Sequence, residues 1–174
     1  MKTKLRLALL PLLALPSLAT ACGGGETSAA VPSSDVPESF HLAAAPAGAR
    51  PVSDVVASAK DGDSVVVTGR VGGAEKVFVD GYAAFTIVDA KIPPCGEGKM
   101  DECKTPWDYC CDSPDELAKN ALSVELVADG KPLAARPRGF HGLDHLKTVT
   151  VAGEVDRDAA GNVRVLASGV HVAQ

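Results

Sequence analysis

The chain has 174 residues, 17 Lys and Arg against 22 Asp and Glu for a formal net charge of −5, and 46% hydrophobic but only 4% aromatic residues. That is enough chain for one domain with a sizeable core, and the acidic balance excludes a general polyanion binder, which needs a basic surface to displace phosphate counterions. The nucleophile elbow G-x-S-x-G, the zinc-protease H-E-x-x-H and the phosphate-loop pattern are all absent, and no carboxylate pair stands out, so a non-enzymatic protein is expected, with a thiol-redox role as the minor alternative.

The first residues read as a signal peptide. Lys2, Lys4 and Arg6 form a positive n-region, and Leu7 to Leu18 is an apolar run broken by Pro11, Pro16 and Ser17. It falls short of the about 20 apolar residues a spanning helix needs, so cleavage of residues 1–21 is expected. The segment Leu18-Ala19-Thr20-Ala21-Cys22 resembles the lipobox of bacterial lipoproteins, in which the cysteine is acylated and begins the mature chain. The resemblance implies lipidation at Cys22 and a membrane partner through that lipid; an ordinary secretory peptide cut after Ala21 is the alternative. Gly23 is not the aspartate that holds enterobacterial lipoproteins in the inner membrane, which implies an outer-membrane address facing the periplasm.

From Gly23 to Pro51 the chain is rich in Gly, Ala, Ser and Pro without a sustained apolar period. Such a segment does not bury enough surface to offset its ordering entropy, so residues 22–50 are expected to be a disordered tether, with His41 solvated in it, and residues 51–174 the folded domain. Order is expected to begin with a short helix, SDVVASAK, capped by Ser53, with Val55, Val56 and Ala59 on one face and Gly62 beyond its end. Ser64–Val71 alternates so that Val65, Val67, Gly69 and Val71 share a face, which predicts a strand. A possible short strand at Val77–Val79 precedes a second clear one, Ala83–Asp89, with Phe85 and Ile87 inward.

A Cys-rich insert, residues 91–114, then interrupts the pattern. Ser113-Pro-Asp-Glu116 is a capping box opening a short helix to about Lys119. Leu122–Val127 predicts a third strand with Leu122, Val124 and Leu126 inward, ended by Asp129-Gly130. After a polar connection come Thr148–Val155 and Val163–Val172, the latter with a bulge expected at Ser168-Gly169. The pattern V-x-V-x-G-x-V occurs from Val65 to Val71 and again from Val149 to Val155, which places a glycine at the same inward position of two strands and suggests that both coil sharply there.

Three strands, a short helical connection and two more strands, together with the paired glycines, resemble the OB-fold, a five-stranded Greek-key barrel. The expected fold is therefore all-β with small α content, a five-stranded OB-like barrel with the Cys-rich insert between its second and third strands. The chain also looks like a set of uncharacterised exported bacterial proteins in which an OB-like domain carries a C…C-x-T-P-W-D-Y-C-C segment, here Cys103 to Cys111. That resemblance brings no activity with it.

The insert carries Cys95, Cys103, Cys110 and Cys111, spaced C-x7-C-x6-C-C, which is neither a zinc-knuckle spacing nor a C-x-x-C redox pair. In an oxidising compartment two disulfides are expected, 95–110 with 103–111 or 95–111 with 103–110, closing an insert too poor in aliphatics to pack itself, with Trp107 and Tyr109 covering the bridges. No cofactor is then required. The alternative is a soft-metal site for Zn or Cu on the same thiols, with Met100 as a further copper ligand. His141 and His145 would share a face of a helix but flank Gly142; with Arg136, Arg138 and Lys147 they are instead candidates for a local anion-binding patch, or for a solvated connection. The histidine-then-tyrosine pair of OB-like haem chaperones is missing at His141, His145 and His171, which disfavours haem.

Together these readings predict a binding or interaction module of the cell envelope, whose partner is an unknown envelope protein or small ligand. Metal handling by the insert is the alternative. Oligonucleotide or anion binding by the barrel ranks third, and nucleic acid is disfavoured because few aromatics exist to stack bases.

Overall fold

The computed structural model describes residues 33–97 and 109–174. The expected signal peptide, Cys22, the first part of the expected tether, Met100, Cys103 and Trp107 lie outside the described residues. In chain order the elements are β1 (Arg50–Pro51), α1 (Val52–Ser58), β2 (Ser64–Val71), β3 (Ala84–Val88), α2 (Pro114–Asn120), β4 (Ala121–Ala128), β5 (Lys131–Pro132), β6 (Thr148–Arg157) and β7 (Val163–Val172), with 3-10 turns at Glu38–Phe40 and Phe140–Gly142. No helix among the described residues is long and apolar enough to cross a membrane.

Five of the strands close on themselves. β2 pairs antiparallel with β3, β3 with β4, β6 with β7 and β2 with β6, while β4 and β7 run parallel. This is the OB-like Greek-key barrel, with the Cys-rich insert between β3 and β4. The alternation in β2 is strict: Val65, Val67, Gly69 and Val71 are buried and the residues between them are not. Phe85 and Ile87 from β3, Leu122, Val124 and Leu126 from β4, and Val165 and Ala167 from β7 fill the same interior.

The repeated pattern acquires a physical reason here. β2 and β6 lie against each other so that Val67 faces Val151, Gly69 faces Val149 and Val65 faces Gly153. A Cβ on Gly69 would lie 2.8 Å from Val52 Cγ2 and 2.9 Å from the Val88 carbonyl oxygen; one on Gly153 would lie 2.3 Å from the Leu166 oxygen. Each glycine marks a close approach of neighbouring chain, and no larger residue fits without a shift. Opposite Gly153 the register slips, Ala152 pairing with Gly169 and Gly153 with Ala167, so Ser168 is the extra residue of the expected bulge.

Helix α1 lies against β2 and β4 and buries Val52 and Val55 completely, each burial contributing about 1.5–3 kcal/mol of transfer free energy. Ser53 is not its cap. The N-cap position is Pro51, which has no side chain to offer, and the orphan amide of Ser53 donates instead to Asp89 Oδ2 at 2.9 Å, a carboxylate from the end of β3. The possible strand at Val77–Val79 reduces to a single bridge between Phe78 and Phe85. Asp129 and Gly130, with φ of 51° and 70°, form a tight turn that sends Lys131–Pro132 back along β4, a hairpin not anticipated from the sequence.

The largest correction concerns the tether. From Ser33 onward the segment expected to be disordered is packed on the barrel: Val36 and Phe40 are buried, Leu42 N donates to the Val170 oxygen at 3.0 Å, and His171 Nδ1 lies 2.9 Å from the Leu42 oxygen. Ser34 Oγ donates to the Arg136 oxygen at 2.7 Å, and the Arg136 amide donates to Asp35. Average composition concealed this, because two apolar anchors and a few backbone bonds suffice when the surface they need already exists elsewhere in the fold.

Candidate functional site

The insert is pinched shut at its base. Asp89 N donates to the Asn120 oxygen at 2.7 Å, and both residues are buried. Asp89 spends its carboxylate on backbone amides, taking Ser53 N with one oxygen and Lys91 N, at 3.0 Å, with the other. Burial raises its pKa, but those hydrogen bonds outweigh burial and hold the carboxyl below its ordinary value. On the far side Ser113 caps α2, accepting from Glu116 N at 3.2 Å with Pro114 in the first turn, as the capping box predicted.

Between these punctuation points three of the four predicted thiols converge. Cys95 is buried and Cys110 and Cys111 are exposed, yet Cys95 Sγ lies 3.3 Å from Cys110 Sγ and 3.5 Å from Cys111 Sγ, and all three sulfurs fall within 4.8 Å of one another. These separations exceed the about 2.05 Å of a covalent S–S bond and approach the about 3.8 Å expected of sulfurs sharing one tetrahedral zinc at about 2.3 Å. Tyr109 is completely buried beside them, and burial pushes its phenol up to about 12, against the opposing pull of the Arg70 guanidinium. Arg70 in turn holds Glu97, two residues beyond Cys95, at 2.8 Å. One face of β2 thus carries the ion pair that positions the start of the insert.

The other predicted residues lie in the connection from β4 to β6. Arg136 is paired with Asp35, and Arg138 reaches both oxygens of Asp144 at 2.9 and 3.4 Å. Asp144 also accepts from the His145 amide at 2.8 Å. The arginines expected to form an anion patch therefore already face carboxylates, which reduces what they offer a ligand. They line, with Lys76, Phe78 and His145, a cleft of about 490 Å³, the size of a small-molecule site. His145 stands edge-on to Phe78, ring centroids 5.2 Å apart.

His141 goes elsewhere, because the connection folds not as a helix but as a tight loop. Gly139 N donates to the Leu143 oxygen at 2.7 Å and Leu143 N to the Phe140 oxygen at 2.8 Å, and His141 between them has φ 46° and ψ 32°. The left-handed backbone carries its ring away from His145 and onto the N-terminal segment. There it stacks on His41, centroids 3.5 Å apart and planes 19° apart, while its Nε2 lies 2.9 Å from Glu38 Oε1. His41, expected to be solvated, is instead stacked with a buried Nδ1, and Glu38 drew no reading at all, since the residue that brings them together stands about a hundred positions away. Compared with models of known protein families and with curated proteins, the chain matches none.

Proposed function

We propose that the chain is a non-enzymatic binding module of the cell envelope, exported and held to the membrane by a lipid on Cys22, in which disulfides tie the start of the Cys-rich insert to its end. The observation that carries the stapled insert is the contact of Cys95 Sγ with both Cys110 and Cys111 Sγ, at 3.3 and 3.5 Å. Either bond needs a side-chain rotation and a thiol oxidant of the envelope, such as a disulfide-bearing oxidoreductase, to take up the two electrons and two protons released. Either joins the start of the insert to its end, leaving Cys103 for the other member of the neighbouring pair. Closing a loop of about 15 residues removes roughly 3 kcal/mol of unfolded-state entropy, which an insert short of aliphatics needs. The cleft beside Phe78, Arg136 and Arg138 supports a small ligand or a partner segment as the bound species. Membership of the exported set with the C…C-x-T-P-W-D-Y-C-C segment belongs to the same proposal.

A second reading is favoured by the three sulfurs within 4.8 Å: a soft-metal site, with Zn2+ or Cu+ drawn by thiolate ligands. Intact mass of the full chain exported to a periplasm, measured native and denatured and alkylated with and without reductant, separates the two. A loss of four hydrogens and no alkylation before reduction supports the stapled insert. Four alkylatable thiols with a metal adduct lost on denaturation supports the metal reading and overturns the first.

A further inference from the structure

We propose that Glu38, His41 and His141 form a second, independent site for a borderline divalent transition-metal ion, Zn2+ or Cu2+, which fastens the N-terminal segment to the barrel. One ligand atom from each residue lies within 4.8 Å of the other two. Two imidazoles and a carboxylate are the donor set that Zn2+ and Cu2+ favour, and three protein ligands leave positions for water.

The backbone holds the donors in place from both directions. Glu38 opens a 3-10 turn whose Phe40 is buried and His41 follows it, His41 N donating to the Glu38 oxygen at 2.9 Å while Leu42 is tied to β7. His141 follows buried Phe140, whose ring stands edge-on to His141 at 4.8 Å and to His41 at 6.3 Å. A left-handed backbone costs an ordinary L-residue about 1 kcal/mol, and such costs collect where a side chain must be aimed. At His141 the cost turns the ring onto His41 and Glu38.

Two further observations point to a ligand. His41 Nδ1 is buried with no hydrogen-bond partner among the described residues, an unfavourable position for an imidazole nitrogen unless something else meets the ring. The stack also sets two imidazoles nearly parallel, 3.5 Å between centroids, with a carboxylate at the edge of one, so that three metal-ligating groups meet at one place. Donors around one zinc stand about 3.3 Å apart at Zn–N distances near 2.0 Å. Closing from the present separations takes a rotation of the exposed Glu38 side chain and a modest unstacking of the two rings.

The test uses the full chain, stripped of metal, titrated with Cu2+ under electron paramagnetic resonance and melted with and without Zn2+. The proposal expects one ion per chain with coupling from two imidazole nitrogens, and a melting temperature raised by roughly 5–10 °C at a hundredfold excess of Zn2+ over its dissociation constant. His41→Asn and His141→Asn should each weaken binding about tenfold or more, Glu38→Gln by less, and His145→Asn not at all. Asparagine accepts the left-handed backbone at position 141, so loss of binding there with an unchanged circular dichroism spectrum reports the ligand and not the fold. No binding at micromolar ion overturns the proposal. So does binding that the histidine variants leave unchanged, or a thiolate charge-transfer band in place of nitrogen coupling, which would place the ion on the cysteines.

Discussion

Two long connections leave this barrel, residues 89–120 between β3 and β4 and residues 129–147 between β4 and β6, and they are held by different means. The first is closed at its base by Asp89 and Asn120 and gathers sulfur at its middle; its own residues meet one another. The second meets itself only locally, through Gly139 with Leu143 and Arg138 with Asp144, and has no bond among the described residues closing its base. It is fixed by a buried phenylalanine, by a left-handed residue, by the Arg136–Asp35 ion pair and by the contact of His141 with Glu38, both acidic partners coming from the far end of the chain. A self-closed connection announces itself in the sequence because its partners are neighbours. One held by a distant segment does not.

The difference is open to attack from either side. The greatest effect is expected at Phe140: Phe140→Ala empties a buried aromatic site and should cost about 3–5 kcal/mol in a urea melt, with the second connection losing protection against amide exchange while the first keeps it. A cost below about 1 kcal/mol would mean that the ion pairs alone hold that connection. At the base of the first, Asp89→Asn should cost about 1–2 kcal/mol at neutral pH, because the amide offers one acceptor where the carboxylate offers two. The folded-state pKa of Asp89 is depressed, so its contribution is present above the unfolded value of about 3.9 and lost as pH falls through the folded one. The gap between wild type and variant should therefore close in acid, and a gap that persists at pH 2 would assign the loss to packing. The smallest effect is expected at the cap of α2, where Ser113→Ala should cost about 0.5–1 kcal/mol without changing which thiols an alkylating reagent reaches.

How much could be read beforehand follows the same division. The barrel was legible because alternation with period two marks a wall buried on one face, and because Gly69 and Gly153 sit where neighbouring chain comes too close for any side chain. Cys95, Cys110 and Cys111 were legible as a group because four cysteines crowd one short stretch of sequence, though not which sulfurs would approach one another. For His141 the glycines argue against a helical face shared with His145, and Gly139, His141 and Gly142 do turn left-handed, but nothing local shows that the His141 ring will meet His41 and Glu38. Glu38 and an ordered His41 were not legible, because a segment with average polar composition carries no mark of the groove it fills. The role of Asp89 was not legible either, since nothing local shows that a carboxylate at the end of one strand will serve a helix amide 36 residues earlier.

The packing of Leu42 beside Val170 has a consequence for association. β4 pairs with β7 only from Arg164 to Ala167, so the last third of β7 has an unclaimed edge on that side, and Leu42 N and His41 are what cover it. A bare strand edge is a template for another chain's backbone. A fragment beginning at residue 51, which would look like the whole domain from composition alone, would carry that edge into solution and should dimerise or aggregate where the longer chain stays monodisperse. The N-terminal segment thus guards the barrel against adding a foreign strand.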